Sequence, residues 1–189
     1  MICVDSQTYC IRITLSNQHH KILFTGPECS GKSTSAAWFA DHYNGLLVPE
    51  YARTYLSDRD SYDASDVINI AREQIALEER AVQINQLVSC DTSVLVLQIW
   101  MEVKFDRAIW SAEILKSHLK TFDVIFLCKP DFPWEGDGLR EHEKDRDRLF
   151  NIYFRSLVDF DLPFEILKSD LSERQRKIKE RMNEINYIH

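Results

Sequence analysis

Gly26-Pro27-Glu28-Cys29-Ser30-Gly31-Lys32-Ser33 decides the fold, because it fills every position of the pattern G-x-x-x-x-G-K-[ST]. Lys21 to Thr25 before it reads as a short buried strand. Ser33 to Tyr43 after it reads as a helix, with Ala36, Phe39, Ala40 and Tyr43 at helical spacing. A glycine-rich turn between strand and helix lets backbone N–H groups wrap a phosphate chain in front of the positive end of the helix dipole. In that arrangement Gly26, Glu28, Cys29, Ser30, Gly31 and Thr34 border the phosphates. Lys32 reaches the outer ones, and the Ser33 hydroxyl ligates Mg²⁺. The stretch implies a nucleoside-triphosphate site, with ATP and Mg²⁺ as the expected occupants.

The bulk properties narrow the partners. A chain of 189 residues is long enough for one domain with a sizeable core. The expected division is an N-terminal extension over residues 1–20 and a phosphate-loop domain over 21–189. In the extension, Cys10 to Leu15 alternates apolar and polar residues and could add an edge strand or be a loose tail. A formal net charge of -7 argues against a dedicated binder of nucleic acid or of an acidic membrane. No apolar run approaches the roughly 18 residues of a membrane span. The five cysteines form no C-x-x-C pair and no secretory signal precedes them, which points to a reducing cytoplasm. Cys90 and Cys128 lie in apolar runs, as small core residues do. Cys29 sits beside a helix N-terminus, where a thiol can become redox-sensitive, although any small residue fits there.

Outward from the phosphate loop, strands and helices alternate. Asn44-Gly45 stops the first helix, Leu46 to Val48 forms a strand, and Pro49 ends it. After a polar loop over Ser57 to Tyr62, Asp63 caps a long helix to about Asn85, with Val67, Ile70, Ala71, Ile75, Ala81 and Val82 as its buried stripe. Leu87 to Cys90 is the third strand, closing on Asp91. Arg107 to Leu119 reads as an amphipathic helix, and Val124 to Cys128 as a strand covered on both faces. A loop rich in proline and glycine follows, Pro130 to Gly138. Leu149 to Val158 is helical, Phe164 to Leu167 the last strand, and Ser172 to Tyr187 a helix opening with a Ser172-x-x-Gln175 capping box. The alternation predicts an α/β fold: three layers with a parallel five-stranded sheet between helices.

Phosphoryl transfer asks for Mg²⁺, positive charge around the migrating group and a base for the nucleophile's proton. Asp91, an acid at the end of an apolar strand, suits Mg²⁺ or its water shell; it could also cap the next helix. Glu50, at the mouth of the sheet, could accept a proton from a substrate hydroxyl or form an ion pair with Arg53. Which of the two is the base stays open. Arg140, Arg146 and Arg148 follow a glycine-flanked hinge, so they could close over ATP as a lid or line a solvated helix face. Trp134 could stack on a flat base or pack in its loop, and Arg53 could hold an acceptor's phosphate.

Five groups of residues come in order: Gly26 to Thr34, Pro49-Glu50-Tyr51-Ala52-Arg53-x-Tyr55-Leu56, Ile70-Ala71-x-x-Gln74, Cys90-Asp91-Thr92 and Pro133-Trp134-x-x-Asp137-Gly138-Leu139-Arg140. Together they resemble the ribosylnicotinamide kinase domain of NadR-type proteins and its stand-alone relatives, over roughly residues 21 to 180. The resemblance implies a nucleoside-monophosphate-kinase-like phosphate-loop domain with an arginine-bearing lid. It implies ATP-dependent phosphorylation of the 5′-hydroxyl of nicotinamide riboside, with Glu50, Tyr51, Arg53, Trp134 and Asp137 toward that substrate. It also implies a helix after Asp91-Thr92, over 94 to 101. The chain departs from the family at three places, with Ser93 where a second Asp is frequent and Pro49 and Glu79 where the bifunctional members carry aromatics. A kinase for another nucleoside or nucleotide, or an ATPase switch acting through a protein partner, are the alternative readings. The oligomeric state is left open.

Overall fold

The computed structural model describes residues 19–136 and 144–185. Its centre is a sheet of five strands: β1 (His20–Thr25), β2 (Leu46–Val48), β3 (Leu87–Asp91), β4 (Val124–Cys128) and β5 (Glu165–Leu167). They lie in the order β2-β3-β1-β4-β5 and every pairing is parallel. The three central strands read as apolar runs because both of their faces are covered. Ile22 and Phe24 of β1 and Val124, Phe126 and Cys128 of β4 pack toward helices α1 (Lys32–His42) and α7 (Leu171–Glu184). Leu23, Cys90, Ile125 and Leu127 pack on the opposite face, toward α3 (Ala64–Ile84), α4 (Val94–Phe105), α5 (Ala112–Leu119) and α6 (Arg146–Asp159). Phe24 stacks on Phe126 at 5.1 Å and tilts onto Phe39 at 5.8 Å, all three without solvent exposure. Each such ring contributes about 1.5–3 kcal/mol of burial. The expected α/β architecture with five parallel strands is the one observed.

Register aligns the business end. Phe24 pairs with Asp91, and Thr25 with Leu127, so the carboxyl ends of β1, β3 and β4 finish together. Ligands of open α/β sheets bind beyond that edge.

Several boundaries differ from the sequence reading, each for a local reason. A short helix, α2 (Tyr51–Leu56), follows Pro49 at once. Helix α5 starts at Ala112, not Arg107: Asp106 ends α4 in the left-handed conformation, and the buried Gln98 side chain accepts bonds from Ile109 and Trp110 N–H at 3.0 and 3.1 Å. That amide holds the intervening residues as a loop. Helix α6 begins at Arg146, three residues ahead of Leu149. Helix α7 is capped by Asp170, whose carboxylate accepts from Glu173 N–H at 3.0 Å, and not by Ser172. Asp63 caps α3 as expected, with Asp66 returning a bond to the Asp63 N–H at 2.9 Å. The expected strand over Cys10 to Leu15 and the end of the last helix beyond Ile185 lie outside the described residues.

Candidate functional site

The phosphate loop joins β1 to α1, and its backbone explains its glycines. At Gly26 a Cβ would lie 2.5 Å from the Cys128 carbonyl oxygen, so only glycine lets the loop pass β4. Gly31 has φ +74°, and a Cβ there would meet the Phe132 ring at 2.6 Å. Gly31 stands at the N-cap of α1 and offers no side-chain bond to the first turn, whose N–H groups are thereby available to an anion. Lys32 folds back over the loop and donates to the Pro27 carbonyl at 2.8 Å.

Asp91 closes β3 beside this loop. It is 5 % exposed, and its Oδ1 is buried without a hydrogen-bond partner among the described residues. Burial pushes its pKa up, the Glu50 charge adds to this, and Lys32 with the Ser33 hydroxyl opposes it. A hydroxyl and a carboxylate with one unsatisfied oxygen form a hard donor pair that fits Mg²⁺. Asp91 does not cap α4. Ser93 occupies that position, and its hydroxyl turns away to Glu78 at 2.7 Å. Between them Thr92 has φ +81°, which costs a β-branched residue about 1–3 kcal/mol. Its N–H bond to the Phe24 carbonyl at 3.1 Å and the grip on Ser93 hold the turn in place.

Glu50 forms the opposite wall at the start of α2. It takes a bond from Arg53 Nε at 3.0 Å, so the expected ion pair is present and the carboxylate still lines the cavity. The buried Gln74 fixes this turn from below, accepting from Tyr51 N–H at 2.9 Å and donating to the Pro49 carbonyl at 3.3 Å.

Phosphate loop, Glu50 and Arg53 open into one cavity whose far wall comes from Leu56, Tyr62, Val96, Ile99, Trp100, Val103, Leu149 and Tyr153. That wall is apolar and aromatic, and Lys32 and Arg53 are the cations among the described lining residues. The Trp100 indole N–H donates to the Tyr62 hydroxyl at 3.0 Å, with the rings edge to face at 5.1 Å. None of these aromatics stood out in the sequence, where α3 and α4 separate them from each other.

Of the residues expected near a substrate, Gly26 to Thr34, Glu50, Arg53 and Asp91 come together. Tyr51 does not reach the cavity wall; its ring lies 6.0 Å from Tyr55 among the helices α2 to α4. Arg148 is exposed and pairs with Asp145 at 3.7 Å. Arg146 heads α6 and donates to the Phe132 carbonyl at 2.7 Å, its guanidinium 5.9 Å from the Trp134 ring; neither Arg146 nor Trp134 lines the cavity. Asp137 and Arg140 lie outside the described residues. Cys29 is half-buried, with φ +50° and its sulfur against the Glu135 backbone. Burial pushes the Cys90 and Cys128 thiols up, as befits core residues.

Arg174 was missed. It is 1 % exposed in α7 and donates to three carbonyls, of Ser30, of Lys129 at 2.8 Å and of Ser169 at 3.1 Å, while its guanidinium lies 4.5 Å from the Phe132 ring. An arginine in a charged terminal helix carries no sequence mark of such a role.

Comparison with known proteins places this geometry. A family described as AAA domain matches residues 21–174. The chain belongs to that AAA domain family. The match takes in the phosphate loop, Glu50 and Asp91, and ends on Arg174, the arginine that holds the loop. The AAA domain chain is also 26% identical over 151 residues to the trifunctional NAD biosynthesis/regulator protein NadR of Escherichia coli (strain K12), covering 76% of this chain and 37% of that protein. The NadR of Salmonella typhimurium is 26% identical over 155 residues, covering 78% and 38%. The chain thus spans less than two-fifths of the length of these relatives. Among solved structures, NadR in complex with NAD and AMP-PNP superposes with a TM-score of 0.67 at 22% identity, over 87% of this chain and 49% of that one. NadR in complex with NR gives 0.66 at 21%, over 87% and 50%. Deoxyadenosine kinase from M. mycoides gives 0.59 at 16%, over 87% and 99%. Glu79 borders a separate surface groove with Ala76 and Arg80. Among the described residues no helix is long and apolar enough to cross a membrane.

Proposed function

We propose that this chain is an ATP-dependent kinase of a small nucleoside, with nicotinamide riboside as the first candidate acceptor. The observation that carries the reading is one cavity shared by the phosphate loop, a carboxylate and a neutral aromatic wall. Lys32 and the loop amides hold the outer phosphates, and Ser33 with Asp91 would hold Mg²⁺, which would neutralise charge on the phosphates. Glu50 faces the acceptor side and takes the proton of the attacking hydroxyl. That oxygen bonds to the γ-phosphorus, the bond from the γ-phosphorus to the bridging oxygen breaks, and ADP leaves with the electron pair. Arg146, with Arg140, belongs to the lid in this reading. The affinity for nicotinamide riboside is suggested by the NadR relatives and by the aromatic wall, in which Trp100 and Tyr62 stand in for the aromatics missing at Pro49 and Glu79.

A nucleotide acceptor is the second reading, favoured by Arg53 at the cavity wall. Against it, Arg53 is paired with Glu50, and the wall beyond it brings no further cation among the described residues. The deciding experiment is ADP formation from Mg-ATP against a panel of nucleosides and mononucleotides. Stimulation by a nucleoside but not by its 5′-phosphate is expected. Stimulation only by mononucleotides selects the second reading, and a rate no acceptor raises leaves an ATPase switch. Glu50→Gln is expected to lower kcat by about 10²- to 10⁴-fold; near-normal turnover would refute its role as base.

A further inference from the structure

Tyr153 has no place in the chemistry above, yet it lines the same cavity as Glu28, Glu50, Tyr62 and Trp100. It follows Arg146 and Leu149 by seven and four residues, which puts all three on one face of α6. Tyr153 is 4 % exposed and packs with Leu149 and Leu157 in the core, and it lines the cavity. Its hydroxyl makes no hydrogen bond with any described residue. Tyr153 lines the cavity, so a hydroxyl with no partner among the described residues is available there to a polar atom of a ligand. Burial pushes the pKa of this hydroxyl up, and the charges of Glu50 and of Glu28 in the phosphate loop add to this, so the phenol keeps its proton. An uncharged O–H with no partner among the described residues, in one cavity with Glu50 and the aromatic wall, is placed to meet an oxygen of the ligand.

The occupant's chemistry follows from position. An acceptor with its reacting hydroxyl at Glu50 and its flat ring toward Trp100 and Tyr62 must place its sugar between them. We infer that Tyr153 is a specificity-determining residue that hydrogen-bonds a ring hydroxyl of the acceptor's sugar, so that intact ribosides are selected over their deoxy forms. This inference rests on the kinase reading above.

The test pairs a variant with altered substrates. ADP formation is measured for wild type and Tyr153→Phe with nicotinamide riboside, cytidine and adenosine, each beside its 2′-deoxy and 3′-deoxy forms. For the riboside that stimulates, wild type is expected to lose about 10-fold or more in kcat/KM on one of the two deoxy forms. Tyr153→Phe is expected to lose about 3- to 10-fold on the intact riboside, chiefly through the acceptor KM, with the KM for ATP unchanged. It should then show no further loss on that same deoxy form. Equal deoxy discrimination by both proteins overturns the inference while leaving the kinase standing. So does a wild type indifferent to both deoxy forms, a result that needs no variant to fold. If no nucleoside stimulates the wild type at all, the kinase reading fails first and this assignment falls with it.

Discussion

The two ends of the cavity are built in different ways. The phosphate end is made of backbone: a loop whose glycines are forced by the Cys128 carbonyl and the Phe132 ring, set before an open helix turn. The far end, which the proposed kinase reading gives to the acceptor, is made of side chains from α2, α4, α6 and the loop before α3, with Tyr62 and Tyr153 far apart in the chain. A phosphate chain is the same in every nucleoside triphosphate, so its site can be written as fixed spacing. An acceptor is read by shape and a few polar atoms, and many combinations of side chains can supply those.

The contrast can be broken most forcefully from behind the phosphate loop. Arg174→Met would take a donor from the buried Ser30 carbonyl and from the Lys129 and Ser169 carbonyls, an expected loss of about 2 kcal/mol in stability. If the arginine serves the phosphate end in particular, the KM for ATP rises as well while that for the acceptor holds. A drop in thermal midpoint with both KM values unchanged would make it a support of the fold alone.

Behind Asp91 stands a second buried charge. Glu78 is fully buried and gathers Lys21 Nζ at 3.0 Å, His118 Nε2 at 3.0 Å and the Ser93 hydroxyl. Burial pushes its pKa up, but the His118 bond, the charges of Lys21 and His118 and the Ser93 bond outweigh this and hold it below the ordinary value. A depressed carboxylate stabilises the folded state above the unfolded pKa, and that contribution is lost as pH falls through the folded pKa. Glu78→Gln is therefore expected to cost about 2 kcal/mol at pH 7, and denaturation at pH 3 should show a smaller gap from wild type. A gap that does not narrow would mean that packing, and not charge, holds the Thr92 turn.

The smallest effects sharpen the acceptor end. Trp100→Ala should raise the acceptor KM about tenfold, an effect of about 1.4 kcal/mol, and leave that for ATP unchanged. Glu79→Trp should change neither, because residue 79 opens on another groove. A tighter acceptor in that variant would show that the far wall extends beyond the residues assigned to it.

What the sequence disclosed follows the same division. The phosphate loop, the Asp63 cap and the apolar β4 each put their signal in neighbouring residues, and the α/β order followed from their alternation. Helix α2 has six residues, too few for a periodic stripe. The loop ahead of α5 is held by Gln98 from a different helix, so nothing inside Arg107 to Ser111 announces it. Tyr51 stood beside Glu50 in sequence and was expected to share its task. The α2 helix turns it instead toward Tyr55, because adjacent helical residues face different ways. Trp100 and Tyr62 meet only once α3 and α4 have packed.

The bond from Arg174 to the Ser30 carbonyl spans 144 residues. During synthesis the phosphate loop leaves the ribosome early, while its clamp arrives only with α7. A nascent chain halted after β5 would carry the complete nucleotide motif and lack the group that holds it in shape. The shape of the loop at Ser30 thus depends on a side chain that only α7 supplies.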